Sequence, residues 1–148
     1  MRRIFVVAAL AALIMSCSPQ APKVEHLRVE GTALMNESGD TVELKGMSFG
    51  WNVLWPRFYN AGAVGHIVDD WGAEVVRAAI GVEIDDNECQ VKNYLQNPEF
   101  GKQCACTIVD AAIENGVYVL VDWHAHGLHT EAAVEFFTYM ATKYKGVP

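Results

Sequence analysis

Charged and polar side chains interrupt two otherwise apolar segments of the sequence, where they could take part in chemistry. Arg77 lies within the apolar run 74–80, and Asp122 and His124 end the run 117–124. An unpaired buried charge is costly, so Arg77 must meet an opposite charge or a cleft. Side chains alternate along a strand, which places Asp122 and His124 on one face and lets Arg77 face Asp122 from a neighbouring strand. The alternative is a structural Arg77–Asp122 ion pair beside a hydrogen-bonded histidine.

The segments around these residues alternate between strand and helix patterns. Continuous apolar runs are typical of parallel strands covered on both faces, while apolar residues three and four apart predict helices. The predicted strands are Val29–Leu34, Thr41–Leu44 (which continues towards Gly50), Glu74–Ile80 and Val117–His124, and the predicted helices are Gly65–Trp71, Gly101–Asn115 and one that begins after Thr130. Successive strand–helix units imply right-handed crossovers and an α/β fold with a parallel sheet. Such folds build their sites at the carboxyl ends of the strands.

The connections of these elements carry their own signals. Asn36–Asp40 has the composition of a tight turn, and it is predicted to join the first two strands. Thr130 can cap the last helix, because its hydroxyl can accept a hydrogen bond from a free backbone N–H. The predicted buried face of that helix is Ala133, Phe137, Met140, Ala141 and Tyr144.

The composition excludes several classes of protein. The sequence of 148 residues is 51% hydrophobic and 20% charged, which excludes a disordered or collagen-like chain. Eighteen acidic residues against 11 basic ones give a net charge of −7. The chain therefore lacks the basic surface that neutralises phosphates, and we expect no nucleic-acid partner. A closed (β/α)8 barrel takes about 250 residues, so a barrel interpretation of this sequence describes part of one.

The first segment has the pattern of an export signal. Arg2 and Arg3 precede an uninterrupted apolar run, residues 4–15, which is too short for a relaxed membrane span. Ser16-Cys17 at its end resembles the bacterial lipoprotein signal, in which the cysteine is lipidated and becomes the new N-terminus. We expect an exported lipoprotein held on a membrane through Cys17. The alternative is an ordinary signal peptide cut near Ser16.

This interpretation divides the chain into three parts. They are the signal with its lipid-bearing cysteine (1–17), a tether (18–26) and the folded domain (27–148). The domain contains Cys89, Cys104 and Cys106. A disulfide from Cys89 to one of the other two is one possibility outside the cytoplasm, and small buried thiols are the other.

Short sequence pieces follow one another in a specific order through residues 31–148. They are Gly31-Thr32-Ala33-Leu34 with Gly39-Asp40, Leu44–Ser48, Asp70-Trp71-Gly72, Val76–Ala79, Tyr94-Leu95, Asn97-Pro98, Val109–Ala112, Gly116–His124, Phe136-Phe137 and Lys143-Tyr144. In this order they resemble the N-terminal portion of a glycoside hydrolase family 5 enzyme of the endoglucanase (cellulase) type. Each piece alone is weakly specific, whereas the ordered set covers nearly the whole predicted domain.

The resemblance implies a fold and an activity. The fold is a partial (β/α)8 TIM barrel, with an N-terminal hairpin and about three βα units. The activity is retaining hydrolysis of β-1,4-linked glucan, with a β-glucan polysaccharide or oligosaccharide as partner and no metal or cofactor. Arg77 would support the nucleophilic carboxylate, and His124 would contact the sugar at the cleavage point. Nearby cationic donors keep such a carboxylate ionised.

The resemblance also implies two glutamates that this sequence does not supply. In the family the acid/base glutamate follows an asparagine at the end of the fourth barrel strand, and the nucleophile ends the seventh. No Asn-Glu-Pro occurs here, so we expect a truncated chain that is inactive as written. Glu83, Asp85 and Asp86 are expected to be solvated loop residues and not replacements. Gly81 stands where family members often carry an aromatic residue.

Aromatic residues after the first barrel strand are candidates for sugar contacts, because the apolar faces of pyranose rings stack on aromatic rings. Trp51 and Trp55 are the predicted contacts, and His126 is a third candidate beside His124. The alternative is that these side chains only pack on the rim of the barrel.

Two other classes of function remain open. His124 and His126 point the same way from a strand and could form half of a zinc site in a metal-dependent barrel hydrolase. A surface lipoprotein that binds glycan without cleaving it is the other alternative.

Overall fold

The computed structural model describes residues 24–148, in which helices cover one face of a three-stranded parallel sheet. The strands are β1 (Arg28–Glu30), β2 (Ala33–Met35), β3 (Gly46–Trp51), β4 (Val75–Gly81) and β5 (Tyr118–His124), and the helices are α1 (Ala61–Trp71), α2 (Pro98–Asn115) and α3 (Thr130–Lys143). The predicted signal 1–17, the lipidation residue Cys17 and residues 18–23 of the predicted tether lie outside the described residues. Across residues 24–148, no helix has the length and apolar character needed to cross a membrane.

A small antiparallel hairpin of β1 and β2 precedes the sheet. Gly31, with φ of 62°, takes the first position of its two-residue turn, where a left-handed conformation favours glycine. The prediction of one strand over Val29–Leu34 is therefore wrong, because the chain reverses inside that segment. The predicted turn Asn36–Asp40 is present, but a single bridge between Met35 and Thr41 follows it in place of a second strand.

The three remaining strands confirm the predicted parallel α/β sheet. Their order is β3-β4-β5, and both pairs are parallel. Arg77 at the middle of the sheet lies opposite Ser48 on one side and Leu120 on the other. Consecutive parallel strands joined by α1 and α2 are the βα units that the sequence predicts.

An irregularity near the end of β3 shapes the start of the following loop. The register with β4 shifts between Ser48 and Trp51. Gly50 lies within the shift with φ of 69°, and a Cβ on it would come within 2.8 Å of the Trp55 ring. Both the backbone conformation and the close approach of Trp55 therefore require glycine at this position.

Side-chain caps and glycine stops define α1 and α2. Asn60 and Asn97 accept hydrogen bonds from the backbone N–H three residues further on. Gly72 and Gly116 end these helices in the left-handed conformation, as predicted. Both helices begin a few residues earlier than the apolar periodicity alone indicates.

The start of α3 differs from the prediction. Thr130 is the first residue of the helix, and His129 occupies the capping position with φ of 39° and no side-chain hydrogen bond to the helix. The predicted Thr130 cap is therefore wrong, because the left-handed turn at His129 places Thr130 inside the helix.

The hydrophobic core lies between the helices and one face of the sheet. From β4 it includes Val76, Ala78 and Ile80. Phe136 of α3 is fully buried, while Phe137 is 43% exposed. The predicted buried face of α3 is therefore wrong at Phe137 and at Ala141, which are both exposed, although its Met140 is buried as predicted. The Phe136 ring packs on Trp123 at a centroid distance of 5.3 Å.

The cysteines of the described residues are thiols. Cys104 and Cys106 are buried on α2, and Cys89 is half-buried in the preceding loop; all three are free. Burial raises the pKa of the Cys104 thiol to about 11. Cys104 and Cys106 therefore match the predicted small buried thiols, and no disulfide links the three.

Candidate active site

Polar side chains of all three sheet strands meet on the face opposite the helices. The Nη2 of Arg77 donates to Oδ2 of Asp122 at 2.6 Å and lies 3.1 Å from Nδ1 of His124. Its Nη1 donates to Oγ of Ser48 at 3.0 Å. The predicted approach of Arg77 and Asp122 across neighbouring strands is confirmed. We call Ser48, Arg77, Asp122 and His124 the polar cluster.

The polar cluster is open to solvent without being fully exposed. The side chains of Arg77, Asp122 and His124 are 35%, 30% and 25% exposed. Leu120, which precedes Asp122 on the same face of β5, is 60% exposed. The cluster therefore lies on the side of the sheet that the helices leave free, towards the carboxyl ends of the strands.

The ring of His124 is fixed through one of its nitrogens. Nδ1 lies 2.9 Å from Oδ2 of Asp122 and 3.1 Å from Nη2 of Arg77. A carboxylate only accepts and a guanidinium only donates, so Nδ1 bonds to Asp122 when it carries a proton and to Arg77 when it does not. Either tautomer holds the ring in place. Among residues 24–148, no hydrogen-bond partner engages Nε2, which stays free for a ligand.

Trp51 extends the polar cluster with an aromatic surface. Its ring lies 4.4 Å from the His124 ring, between centroids, and 6.2 Å from the ring of His126. The structure thus brings together three of the predicted site residues at the carboxyl ends of β3 and β5. A ring system beside charged donors is the arrangement that carbohydrate recognition uses, since sugars have apolar faces and polar edges.

Trp55 lies in a different place from the other predicted contacts. Its ring covers Gly50 and is 42% exposed, and the guanidinium of Arg57 lies 5.1 Å from its centroid. It lines a groove of about 510 Å³ between β3 and α1, together with Met47, Phe58 and Trp71 among others. Its role as a sugar contact stays a prediction.

A buried asparagine that the sequence analysis did not single out fixes the ends of β3 and β4. Asn52 is 1% exposed, and its Oδ1 accepts from the backbone N–H of Gly81 at 2.8 Å. A Cβ on Gly81 would meet Cγ2 of Val53 at 2.9 Å. Glycine is therefore required here by the close approach of the loop that follows β3, and it leaves no room for an aromatic side chain without rearrangement.

Glu83 departs from its expected solvated state. Its side chain is 24% exposed, and its Oε1 accepts from the backbone N–H groups of His126 and Gly127. Partial burial opposes ionisation, but these two donors and the nearby His129 outweigh it and lower the pKa of the Glu83 carboxyl. The expectation of a solvated loop residue is wrong, because the contact comes from a loop more than 40 residues away.

Comparisons with known proteins identify the family of this chain. The sequence profile of the family described as Cellulase (glycosyl hydrolase family 5) matches residues 35–148. The chain belongs to glycoside hydrolase family 5. This confirms the family and the partial barrel that the sequence resemblance implies.

Relatives of this family 5 chain include characterised enzymes. Endoglucanase Z of Dickeya dadantii is 33% identical over 99% of the chain, and an endoglucanase of Clostridium saccharobutylicum is 33% identical over 80%. Among solved structures, a protein of Cytophaga hutchinsonii is 41% identical with a TM-score of 0.75. The catalytic domain of Thermobifida fusca endoglucanase Cel5A is 26% identical with a TM-score of 0.72.

The family 5 chain spans about a third of these relatives. It covers 34% of Endoglucanase Z and 26% of the Clostridium enzyme. It covers 38% of the Cytophaga structure and 39% of the Thermobifida catalytic domain, while 82% of the chain takes part in each match. The sequence therefore corresponds to part of the catalytic barrel.

Within residues 24–148, the fold brings no further metal ligands to the predicted zinc-binding pair His124 and His126. The rings of His124 and His126 lie 6.3 Å apart, and Nδ1 of His124 is engaged by the polar cluster. In the part of the chain that the structure describes, no three His, Cys, Asp or Glu side chains group closely enough to hold a metal ion. Family membership assigns the polar cluster to a glycosidase domain instead.

Proposed function

We propose that this chain forms one wall of the active-site cleft of a retaining β-1,4-glucan hydrolase. The observation that carries the proposal is the polar cluster, in which Arg77, Asp122 and His124 lie within 3.1 Å of one another beside the Trp51 ring. Its relatives are endoglucanases, and a variant of the Thermobifida enzyme has been solved with cellotetraose. A β-glucan is accordingly the ligand that we assign to the cleft.

Retaining hydrolysis needs a nucleophilic carboxylate and an acid/base carboxyl about 5–5.5 Å apart. Asp122 is held by Arg77, and Glu83 is bound to the backbone of a loop, so neither is free to attack a sugar or to protonate a leaving group. We propose that both reacting carboxyl groups come from outside these 148 residues. The 148-residue chain alone then does not hydrolyse glucan.

Arg77 would support the incoming nucleophile. Its Nη2 is paired with a carboxylate, whereas its Nη1, within residues 24–148, donates to the neutral hydroxyl of Ser48 alone. A second carboxylate placed near Nη1 would gain a charge-assisted hydrogen bond, which favours its ionised form. Asp122 fixes the guanidinium so that this donor is already oriented before substrate binds.

His124 and Trp51 would bind the sugar next to the cleaved bond. The free Nε2 of His124 can exchange a hydrogen bond with a sugar hydroxyl, and the Trp51 indole offers a face on which a pyranose ring stacks. His126, whose ring lies beside that of Trp51, is the candidate for a further hydroxyl contact.

A chimaeric barrel tests this proposal. The chain is joined to the remaining C-terminal part of the catalytic domain of Endoglucanase Z, and hydrolysis of carboxymethylcellulose and the anomer released from cellotetraose are measured. We expect hydrolysis with retention by the chimaera and none by the 148-residue chain. Arg77→Ala should lower kcat/KM by about 100-fold, the scale of one lost transition-state donor, while Arg28→Ala in the hairpin should leave it unchanged.

Three results would contradict the proposal. Hydrolysis by the 148-residue chain would place the reacting carboxyl groups inside it. A folded chimaera that binds cellotetraose without hydrolysing it would favour the non-catalytic glycan-binding function. Equal activity of the Arg77→Ala and Arg28→Ala chimaeras would remove Arg77 from the cleft.

We also propose that the protein is exported and lipidated on Cys17, on the basis of the sequence pattern of residues 2–17. Expression in a bacterium fed with labelled palmitate should label the wild-type chain and leave Cys17→Ser unlabelled. Labelling of both chains, or of neither, would contradict lipidation at this cysteine.

A further inference from the structure

The loop between β5 and α3 carries His126 and is organised around one carboxylate. Glu83, two residues beyond the end of β4, places Oε1 against the backbone N–H groups of His126 and Gly127, the latter at 3.0 Å. Its Oε2 lies 3.6 Å from Nε2 of His129. The same carboxylate thus contacts the backbone of the loop and faces a ring at its far end.

The end of this loop has no side-chain cap on the following helix among the residues that the structure describes. His129, with φ of 39°, makes no side-chain hydrogen bond to α3, and Thr130 does not cap the helix. A Cβ on Gly127 would come within 2.9 Å of the His129 ring, so this ring lies directly over the loop backbone. A strained left-handed histidine persists only where its surroundings fix it. The carboxylate of Glu83 is the charged group at the centre of these contacts.

The position of the loop matters for the cleft. His126 follows His124 by two residues, and its ring lies 6.2 Å from the ring of Trp51. A loop that moves by a few ångströms would carry the His126 ring away from Trp51. The wall of the cleft beyond the polar cluster therefore depends on how the backbone of His126 is held.

We propose that Glu83 is a positioning residue for glucan binding, which acts by fixing the backbone of His126 and Gly127 and so holds the His126 ring beside Trp51. The proposal rests on the proposed function, because it assumes that the open face binds a β-glucan. Glu83 itself does not touch the sugar. It acts through two backbone N–H groups, and an amide oxygen at the same place can accept from both.

The test uses substitutions that separate the acceptor from the charge. Glu83→Gln keeps an acceptor oxygen at the same reach, Glu83→Asp keeps the charge but is one methylene shorter, and Glu83→Ala removes both. Asp85→Ala is the matched control, because Asp85 is an exposed carboxylate two residues further on that bonds to the Gln96 side chain. Each variant is made in the chimaeric barrel described above and is measured by NMR for amide hydrogen exchange at His126 and Gly127 and for the shift of the Trp51 indole during titration with cellotetraose.

We expect a graded result. Glu83→Ala should speed exchange of both amides by at least about tenfold, the scale of one lost hydrogen bond, and should weaken cellotetraose binding about fivefold. Glu83→Asp should do the same to a smaller extent. Glu83→Gln and Asp85→Ala should stay within twofold of wild type in both measurements.

The outcomes distinguish this proposal from the proposed function. A wild-type chimaera whose Trp51 signal ignores cellotetraose contradicts the proposed function, and the positioning role falls with it. A wild-type chimaera that binds, with Glu83→Ala or Glu83→Asp binding equally well, overturns the positioning role alone, whether or not exchange has changed. Weakened binding in Glu83→Gln equal to that in Glu83→Ala would overturn the backbone-acceptor mechanism.

Discussion

The two faces of one sheet differ sharply in this molecule. The face towards the helices carries Val76, Ala78 and Ile80 from β4, all at most 1% exposed. On the opposite face, Arg77 pairs with Asp122 and His124, and its side chain is about a third exposed. Because side chains alternate along a strand, neighbouring residues of β4 can serve packing and the recognition that we propose separately.

Because the two faces differ, substitutions on the helix face should affect stability, and substitutions on the open face should affect binding. The helix face gains its stability from apolar burial, which is lost when a side chain is removed. The open face gains little from a half-exposed ion pair, since solvent screens the charges. A strand can therefore carry a costly charged residue for ligand binding while its neighbours hold the fold.

The largest effect is expected from Phe136→Ala on the helix side. Removal of this fully buried ring, which packs on Tyr94 and Trp123, should lower the free energy of unfolding by about 3–5 kcal/mol. The matched control is Phe137→Ala, because that neighbouring ring is 43% exposed and should cost about 1 kcal/mol or less. Urea unfolding measures the free energy of unfolding of both variants. Equal losses in the two variants would contradict the burial of Phe136 in preference to Phe137.

A smaller loss of stability is expected from Gly81→Ala at the end of β4. The added Cβ would lie 2.9 Å from Val53, and relief of this clash should cost about 1–3 kcal/mol. Gly65→Ala is the control, because a Cβ there would meet Oδ1 of Asn115 at an ordinary contact distance of 3.9 Å and should stabilise α1 by about 0.5–1 kcal/mol. Thermal unfolding should move in opposite directions for the two variants; a stabilised Gly81→Ala would contradict the close approach.

On the open face, Arg77→Lys should change stability by only about 0–1 kcal/mol, because the ion pair is partly exposed. It should nevertheless weaken cellotetraose binding several-fold, since lysine cannot contact Ser48 and Asp122 with two nitrogens of one planar group. Urea unfolding measures the change in stability, and an NMR titration with cellotetraose measures the change in binding. A loss of stability as large as that of Phe136→Ala, with binding intact, would make the ion pair structural.

The smallest effect is expected in how the free energy of unfolding changes at acidic pH. The Glu83 carboxyl has a lowered pKa in the folded chain, so its contribution to stability is complete above the unfolded value of about 4.3 and is lost as the pH falls through the lower folded value. Unfolding free energies measured from pH 6 to pH 3 should therefore fall less steeply in Glu83→Gln than in wild type. Parallel curves would contradict the interactions that lower this pKa.

Much of the fold follows from local sequence signals. The glycine stops at Gly72 and Gly116 and the apolar runs of β4 and β5 are in the structure where the patterns predict them. The approach of Arg77 and Asp122 also follows, because strand alternation and parallel order leave few other arrangements.

The remaining features depend on contacts that no local pattern encodes. Phe136 and Phe137 are adjacent on one helix and both fit an apolar spacing with Met140; the buried ring is Phe136, which packs on Trp123 and Tyr94. The chain reverses at two turn-forming segments, and the positive φ of Gly31 adds a turn inside the segment that the sequence pattern predicts as one strand. Glu83 meets its backbone donors only when the loop after β5 folds over it.

We propose that the open face of the sheet, and not the helix face, recognises a β-glucan. Two tryptophans on opposite faces allow one direct measurement, an NMR titration of the indole N–H signals with cellotetraose. Trp51 stacks on His124, whereas Trp123 packs on Phe136. In the chimaeric barrel we expect a saturable shift of the Trp51 signal with Trp123 unmoved; a shift of Trp123 alone, or of neither, would show that the open face does not bind the glucan.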